Sequence, residues 1–217
     1  MQKLPLHKKL LSYLYPIPMR KADAYNNSIL ELFLYRGQWQ LANDDALYSD
    51  GDKYRPLLIA FRNLEQILPS VKKVLVLGAG LGSAVQILHK MGQHPAVTLV
   101  DIDKLILQWA LELAAPETAA NIQPVCADAK EFLKTDNEIY DIVVVDIFEG
   151  RQVPAFVTAP DFLEQCKQRV AAGGHLVLNY IINDYNSWDK VKAGIDAALP
   201  QNKILKFDIN RVFVARI

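Results

Sequence analysis

The chain has 217 residues, 51% of them hydrophobic, with Lys+Arg and Asp+Glu balanced at 24 each. That is enough for one large domain with a real core. The balanced charge leaves no footprint for nucleic acid or an anionic membrane surface, and no apolar run reaches spanning length.

In chain order, the first 27 residues carry few signals. Leu6, Leu10, Leu11 and Leu14 can form one face of a short helix that Pro16 and Pro18 stop. Basic residues and leucines broken by prolines do not resemble a cleaved signal, so a cytoplasmic protein is expected. From Ser28 to Leu34 the residues alternate as in a strand. Gln38 to Ala42 is a second strand candidate, and Asn43-Asp44-Asp45 and Ser49 to Asp52 read as turns. Residues 28 to 49 therefore predict a small antiparallel sheet, and Tyr54 to Leu68 a helix with Leu57, Leu58, Phe61 and Leu64 on one face. The expected division is an N-terminal segment, 1–68, followed by the main domain, 69–217.

From Val71 the chain alternates strand and helix, the pattern of a parallel sheet covered on both faces. Strands are expected at Val74 to Leu77, Val97 to Val100, Ile122 to Cys126, Tyr140 to Val145 and His175 to Ile181. Helices are expected at Leu81 to Met91, along Leu105, Ile106, Trp109 and Leu113, and from Asp128 to Leu133. A further helix is capped by Thr158 and closed by Gly173-Gly174, and a last one spans Ser187 to Leu199. Lys203 to Ile209 and Arg211 to Ile217 read as an antiparallel pair at the sheet edge. Cys126 and Cys166, in apolar segments, are expected to be reduced core residues. The four histidines show no ligand spacing, so no metal site is expected.

One stretch organises this pattern. The first central strand ends in Gly78-Ala79-Gly80-Leu81-Gly82, and the second ends in Asp101, about 20 residues on. Glycines permit a sharp turn and a close approach, a helix N-terminus favours polar groups, and the acid can accept from ribose hydroxyls. Ser83 stands where a dinucleotide fingerprint has its third glycine. Asp128 and Asp146 follow the third and fourth strands. In an open parallel sheet, ligands bind outside the carboxyl ends of the strands, so these features mark one candidate site. A lone acid at such a place is often only a helix cap, and Asp128 also begins a helix.

The run VLVLGAGLGSAVQIL, followed by VTLVDID, VCADAKEFL, YDIVVVDIFEG and FLEQCKQRVAAGGHLVLN, resembles the class I S-adenosylmethionine-dependent methyltransferase fold. Within it, the resemblance is to spermidine synthases and spermidine-synthase-like bacterial proteins, over roughly residues 28 to 217. It implies a Rossmann-like α/β fold: a mostly parallel sheet with an antiparallel final strand, preceded by the small N-terminal sheet. It implies S-adenosylmethionine or its decarboxylated form as cosubstrate, with Gly78, Ala79, Gly80 and Gly82 bordering its sulfonium side. Asp101, with Ile102 beside it, takes the ribose; Asp128 accepts from the adenine amino group, and the Ala129 N–H faces a ring nitrogen. Asp146 matches the first acid of the catalytic loop, and Glu149 stands where aminopropyltransferases usually carry a second aspartate.

The implied partner is a small, amine-bearing acceptor, with no nucleic acid, membrane or metal; a homodimer is left open. Presenting a free alkylamine at pH 7 costs about 4 to 5 kcal/mol, which a carboxylate at the attack point can offset. Where spermidine synthases commonly carry Tyr-His-Glu, this chain has Tyr54-Arg55-Pro56, and the preceding glutamine is not evident. Tyr48 and Tyr54 fit equally well as covers of the pocket and as packing residues. Three readings stand: a transferase using either nucleoside, a catalytically silent nucleoside-binding protein, and a nicotinamide-dependent oxidoreductase.

Overall fold

The computed structural model describes residues 5–25, 29–43 and 46–217. A short helix α1, Leu6–Leu11, precedes four strands: β1 (Ile17–Asp23), β2 (Ile29–Tyr35), β3 (Gln38–Asn43) and β4 (Ala46–Ser49). They form one antiparallel sheet in the order β1-β2-β3-β4. The sheet is larger than expected, because Pro16 and Pro18 obscured β1. Pro18 sits at a register shift in this edge strand, where its missing N–H is tolerated. The expected turn at Asn43-Asp44-Asp45 falls largely outside the described residues. The leucines in and after α1 bury little: Leu6, Leu10 and Leu14 are 72%, 63% and 78% exposed, and Ser12 makes the contact, its hydroxyl accepting from the Gly37 N–H.

Helix α2, Arg55–Asn63, begins with Pro56 in its first turn, a position that needs no donor. Its buried face, Leu57, Ala60 and Phe61, shares one apolar cluster with Leu30, Leu32 and Leu41 of the first sheet and Val74 and Val76 of the second. That second sheet contains β5 (Lys73–Leu77), β6 (Ala96–Asp101), β7 (Ile122–Cys126), β8 (Tyr140–Val145), β9 (Val170–Ile181), β10 (Asn202–Phe207) and β11 (Asn210–Arg216). Its order is β10-β11-β9-β8-β5-β6-β7, with β5 to β9 parallel and β11 antiparallel to both neighbours. Helices α3 (Ser83–Lys90), α4 (Lys104–Leu113), α5 (Pro116–Ala119), α6 (Ala129–Thr135), α7 (Pro160–Gln168) and α8 (Tyr185–Ala198) connect these strands. Central β8 is buried from Ile142 to Val145, as its unbroken apolar run requires.

Three local expectations are corrected. Gly173-Gly174 does not close α7, which ends at Gln168. The pair lies in β9, where the register slips between Tyr140 and Ile142; a Cβ on Gly174 would lie 2.7 Å from the Asp141 carbonyl. Thr158 does not cap α7: its hydroxyl donates to the Ala155 carbonyl, and the cap position is Ala159. Cys126 is exposed rather than core, because β7 is the sheet edge; Cys166 is buried. Among the described residues no helix is long and apolar enough to cross a membrane.

Candidate functional site

The carboxyl ends of β5 to β8 open into a cleft of ≈ 210 Å³, which the N-terminal sheet closes from one side with Leu30, Asn43 and Tyr48. Gly78, Gly80, Asp101, Ile102, Asp128, Ala129, Asp146 and Glu149 all line it. Ala79 and Gly82 do not, although they belong to the same turn. Ala79 acts through its backbone, its N–H donating to Asp101 Oδ2 at 2.9 Å. Gly82 is the left-handed residue ahead of α3.

The glycines are needed for the protein's own backbone as much as for a ligand. Gly78 has φ +92°, and a Cβ there would lie 2.3 Å from the Asp146 carbonyl oxygen. Its bareness lets β5 and β8 end side by side. At Gly80 the close neighbour is the Tyr48 carbonyl, at 3.0 Å from an added Cβ, so the small sheet leans on the glycine turn. A buried contact between the Ser49 and Ser83 hydroxyls, 2.6 Å, fastens the same junction.

Asp101 is fixed by the turn it ends. Oδ2 accepts from Ala79, and Oδ1 from the Asp103 N–H at 2.9 Å. Burial raises its pKa to about 6 against the lowering effect of those two amides. Asp103, which sequence reading passed over, caps α4 through Oδ1 and accepts the Tyr25 N–H through Oδ2 at 2.8 Å. An acid directly ahead of an apolar helical run was the available signal. Asp128 caps α6, accepting from the Lys130 N–H at 2.8 Å, and lines the cleft.

Asp146 carries the densest polar network. Oδ1 accepts from Asn179 Nδ2 at 2.8 Å and from the Tyr54 hydroxyl at 3.3 Å, and Asn179 Nδ2 also donates to Tyr54 Oη at 3.2 Å. Burial raises the Asp146 pKa to about 6, opposed by the Asn179 and Tyr54 donors. The Tyr54 hydroxyl is pushed well above its ordinary range by burial and then by the Asp146 charge, so it stays protonated and donates. Arg55 is exposed and lies over the Phe207 ring at 5.2 Å, outside the cleft.

Glu149 is exposed at the mouth, on a loop folded back by a bridge between Glu149 and Gln152. Two side chains strap this loop: Tyr48 Oη accepts from the Gly150 N–H at 2.7 Å, and Asn183 Nδ2 donates to the Arg151 carbonyl at 2.8 Å. Tyr48→Phe removes the first strap. The Gly150 amide is expected to exchange about three- to tenfold faster in that variant, the loss of one ordinary hydrogen bond. Unchanged exchange would show that the tyrosine does not hold the loop.

A model of the spermine/spermidine synthase domain matches residues 63–185, from the end of α2 to the start of α8. The chain belongs to the spermine/spermidine synthase family. The matched span carries the glycine turn, Asp101, Asp128, Asp146 and Asn179; Tyr54 lies before it. The polyamine aminopropyltransferase of Vibrio vulnificus is 26% identical over 114 residues, 51% of this chain and 38% of that protein. The eEF1A lysine and N-terminal methyltransferase of Mus musculus is 26% identical over 154 residues, 66% of this chain and 22% of that protein. The chain therefore spans well under half the length of these two relatives. A probable spermidine synthase from Corynebacterium glutamicum superposes with a TM-score of 0.73, covering 91% of this chain and 79% of that one at 17% identity. This likeness shows the shared Rossmann-like fold.

Proposed function

We propose that the protein transfers the aminopropyl group of decarboxylated S-adenosylmethionine to a small amine. The observation that carries this reading is the charge of the cleft. Asp101, Asp103, Asp128, Asp146 and Glu149 line it, and among the described residues no Lys, Arg or His does. Such a site favours a cationic sulfonium and a cationic amine. It disfavours the pyrophosphate of a nicotinamide cofactor, which argues against the oxidoreductase reading. It also disfavours the carboxylate that distinguishes S-adenosylmethionine from its decarboxylated form. Asp101 and Asp128 fit the ribose and adenine edges of the nucleoside, and Ile102, Val100 and Ile106 give the cleft an apolar wall.

In this reading Asp146 holds the acceptor's ammonium group and takes its proton. The freed nitrogen lone pair forms a bond to the carbon next to sulfur. The carbon–sulfur bond breaks, its electron pair stays on sulfur, and a neutral thioether leaves. Glu149 holds a second cationic end of the acceptor at the mouth. Against a catalytically silent binder stands a carboxylate at Asp146 whose burial disfavours its charged form.

The test is a product screen of the wild-type protein with both nucleosides against diamines, polyamines and monoamines, followed by mass spectrometry. Methylthioadenosine formed only when an amine is present is the expected result. S-adenosylhomocysteine would select methyl transfer instead, and no product with any acceptor would favour the silent reading.

A further inference from the structure

Asn179 is fully buried near the carboxyl end of β9, after the apolar run Leu176 to Leu178. A primary amide is costly there unless it is hydrogen-bonded. In one orientation both its donors and its oxygen have partners. The two Nδ2 hydrogens reach Asp146 Oδ1 and Tyr54 Oη, and Oδ1 accepts from Asn210 Nδ2 at 2.9 Å. Reversing the amide would set its oxygen against the Asp146 carboxylate and its NH2 group against that of Asn210. Asn210 opens β11 beside the hairpin turn, across from Ile181 on β9. It lies outside the span matched by the family and does not line the cleft.

We propose that Asn210 is a positioning residue for the transfer reaction: it fixes the Asn179 amide in the one orientation that donates to Asp146, and so sets the direction of the reacting carboxylate. The C-terminal hairpin thereby reaches the chemistry without touching the substrate. This rests on the role given to Asp146 above.

The experiment is a double-mutant cycle of Asn210→Ala with Asn179→Ala, or with the isosteric Asn179→Leu where alanine leaves the protein unfolded. Two quantities are read. The first is the titration midpoint of the Asp146 carboxyl in the free protein, by carbon-13 NMR. The groups facing Asp146 are Tyr54 and Asn179; the other titratable cleft residues are Tyr25, Tyr48, Asp101, Asp103, Asp128 and Glu149. The second is kcat with the best acceptor found.

Asn210→Ala alone is expected to raise the Asp146 midpoint by about half a pH unit and to lower kcat about fivefold, with nucleoside affinity unchanged and the thermal midpoint lowered by a few degrees as the buried Asn179 oxygen loses its donor. In the Asn179 variant the same substitution is expected to do nothing further. Equal effects of Asn210→Ala in both backgrounds, or an unmoved Asp146 midpoint, would overturn the proposal. The titration needs no acceptor, so it decides the matter even if no transfer is found.

Discussion

Asp146→Asn is expected to lower transfer by about 10²-fold or more while nucleoside binding stays within a few fold. The substitution keeps the shape of the side chain beside Tyr54 and Asn179, but removes the carboxylate proposed to take the proton. General acid–base assistance of this kind contributes roughly 10²- to 10⁴-fold. The wild-type pH profile has a matching sign. If Asp146 is the base, as proposed, its carboxylate is the active form, and with a pKa raised to about 6 the rate should rise with pH through about 6 and level off above it.

Stability should move the opposite way. Burial raises this pKa from 3.8 to about 6, so the folded state holds a proton that the unfolded chain has released in that interval. The group's contribution is therefore fully present below about pH 3.8 and is lost as pH rises through about 6. An asparagine is neutral throughout. Asp146→Asn should thus gain on wild type by up to about 3 kcal/mol above pH 6, on the scale of 1.36 kcal/mol per pKa unit. Thermal midpoints of both proteins at pH 4 and pH 7.5 read this difference. A variant with the full wild-type rate, once an activity is in hand, would remove Asp146 from the chemistry.

Asp101→Ala is expected to weaken nucleoside binding by about 1.5 to 3 kcal/mol, or roughly 10- to 150-fold, as a charge-assisted acceptor is lost. The structure gives this acid a second duty, since it also accepts the Ala79 and Asp103 amides. Part of the loss would come from a loosened glycine turn. Asp101→Asn separates the two contributions, because its amide oxygen can still accept one backbone N–H while the charge is gone. Both variants should bind more weakly than wild type, alanine the more so. Wild-type affinity in a folded Asp101→Ala protein would show that this carboxylate does not hold the ribose.

The central strands were legible because burial on both faces forces an apolar run: Val74 to Leu77 is the buried part of β5, and Tyr140 to Val145 are the observed limits of β8. The acids after β6, β7 and β8 were legible as strand-end residues, and the structure brings them to one cleft. Other features depend on contacts that local pattern does not encode. Gly78 reads as a ligand-facing glycine, yet the nearest obstacle to a side chain there is the backbone of Asp146. Gly173 and Gly174 read as a helix stop because a bulged strand start uses the same residue. Tyr54, Asn179 and Asn210 come from a helix cap, a strand and a hairpin, and meet only once the sheet is assembled. The one local signal was an asparagine near the end of apolar β9, a fourth polar residue at the carboxyl edge of the sheet.

The most direct measurement of the central claim is calorimetry of the wild-type protein and Asp101→Ala with decarboxylated S-adenosylmethionine, S-adenosylmethionine, methylthioadenosine and NAD. The expected result is binding of the decarboxylated nucleoside and of methylthioadenosine, weaker binding of S-adenosylmethionine, none of NAD, and a roughly 10- to 150-fold loss in the variant. Binding of NAD with no heat from any of the sulfur nucleosides would contradict it.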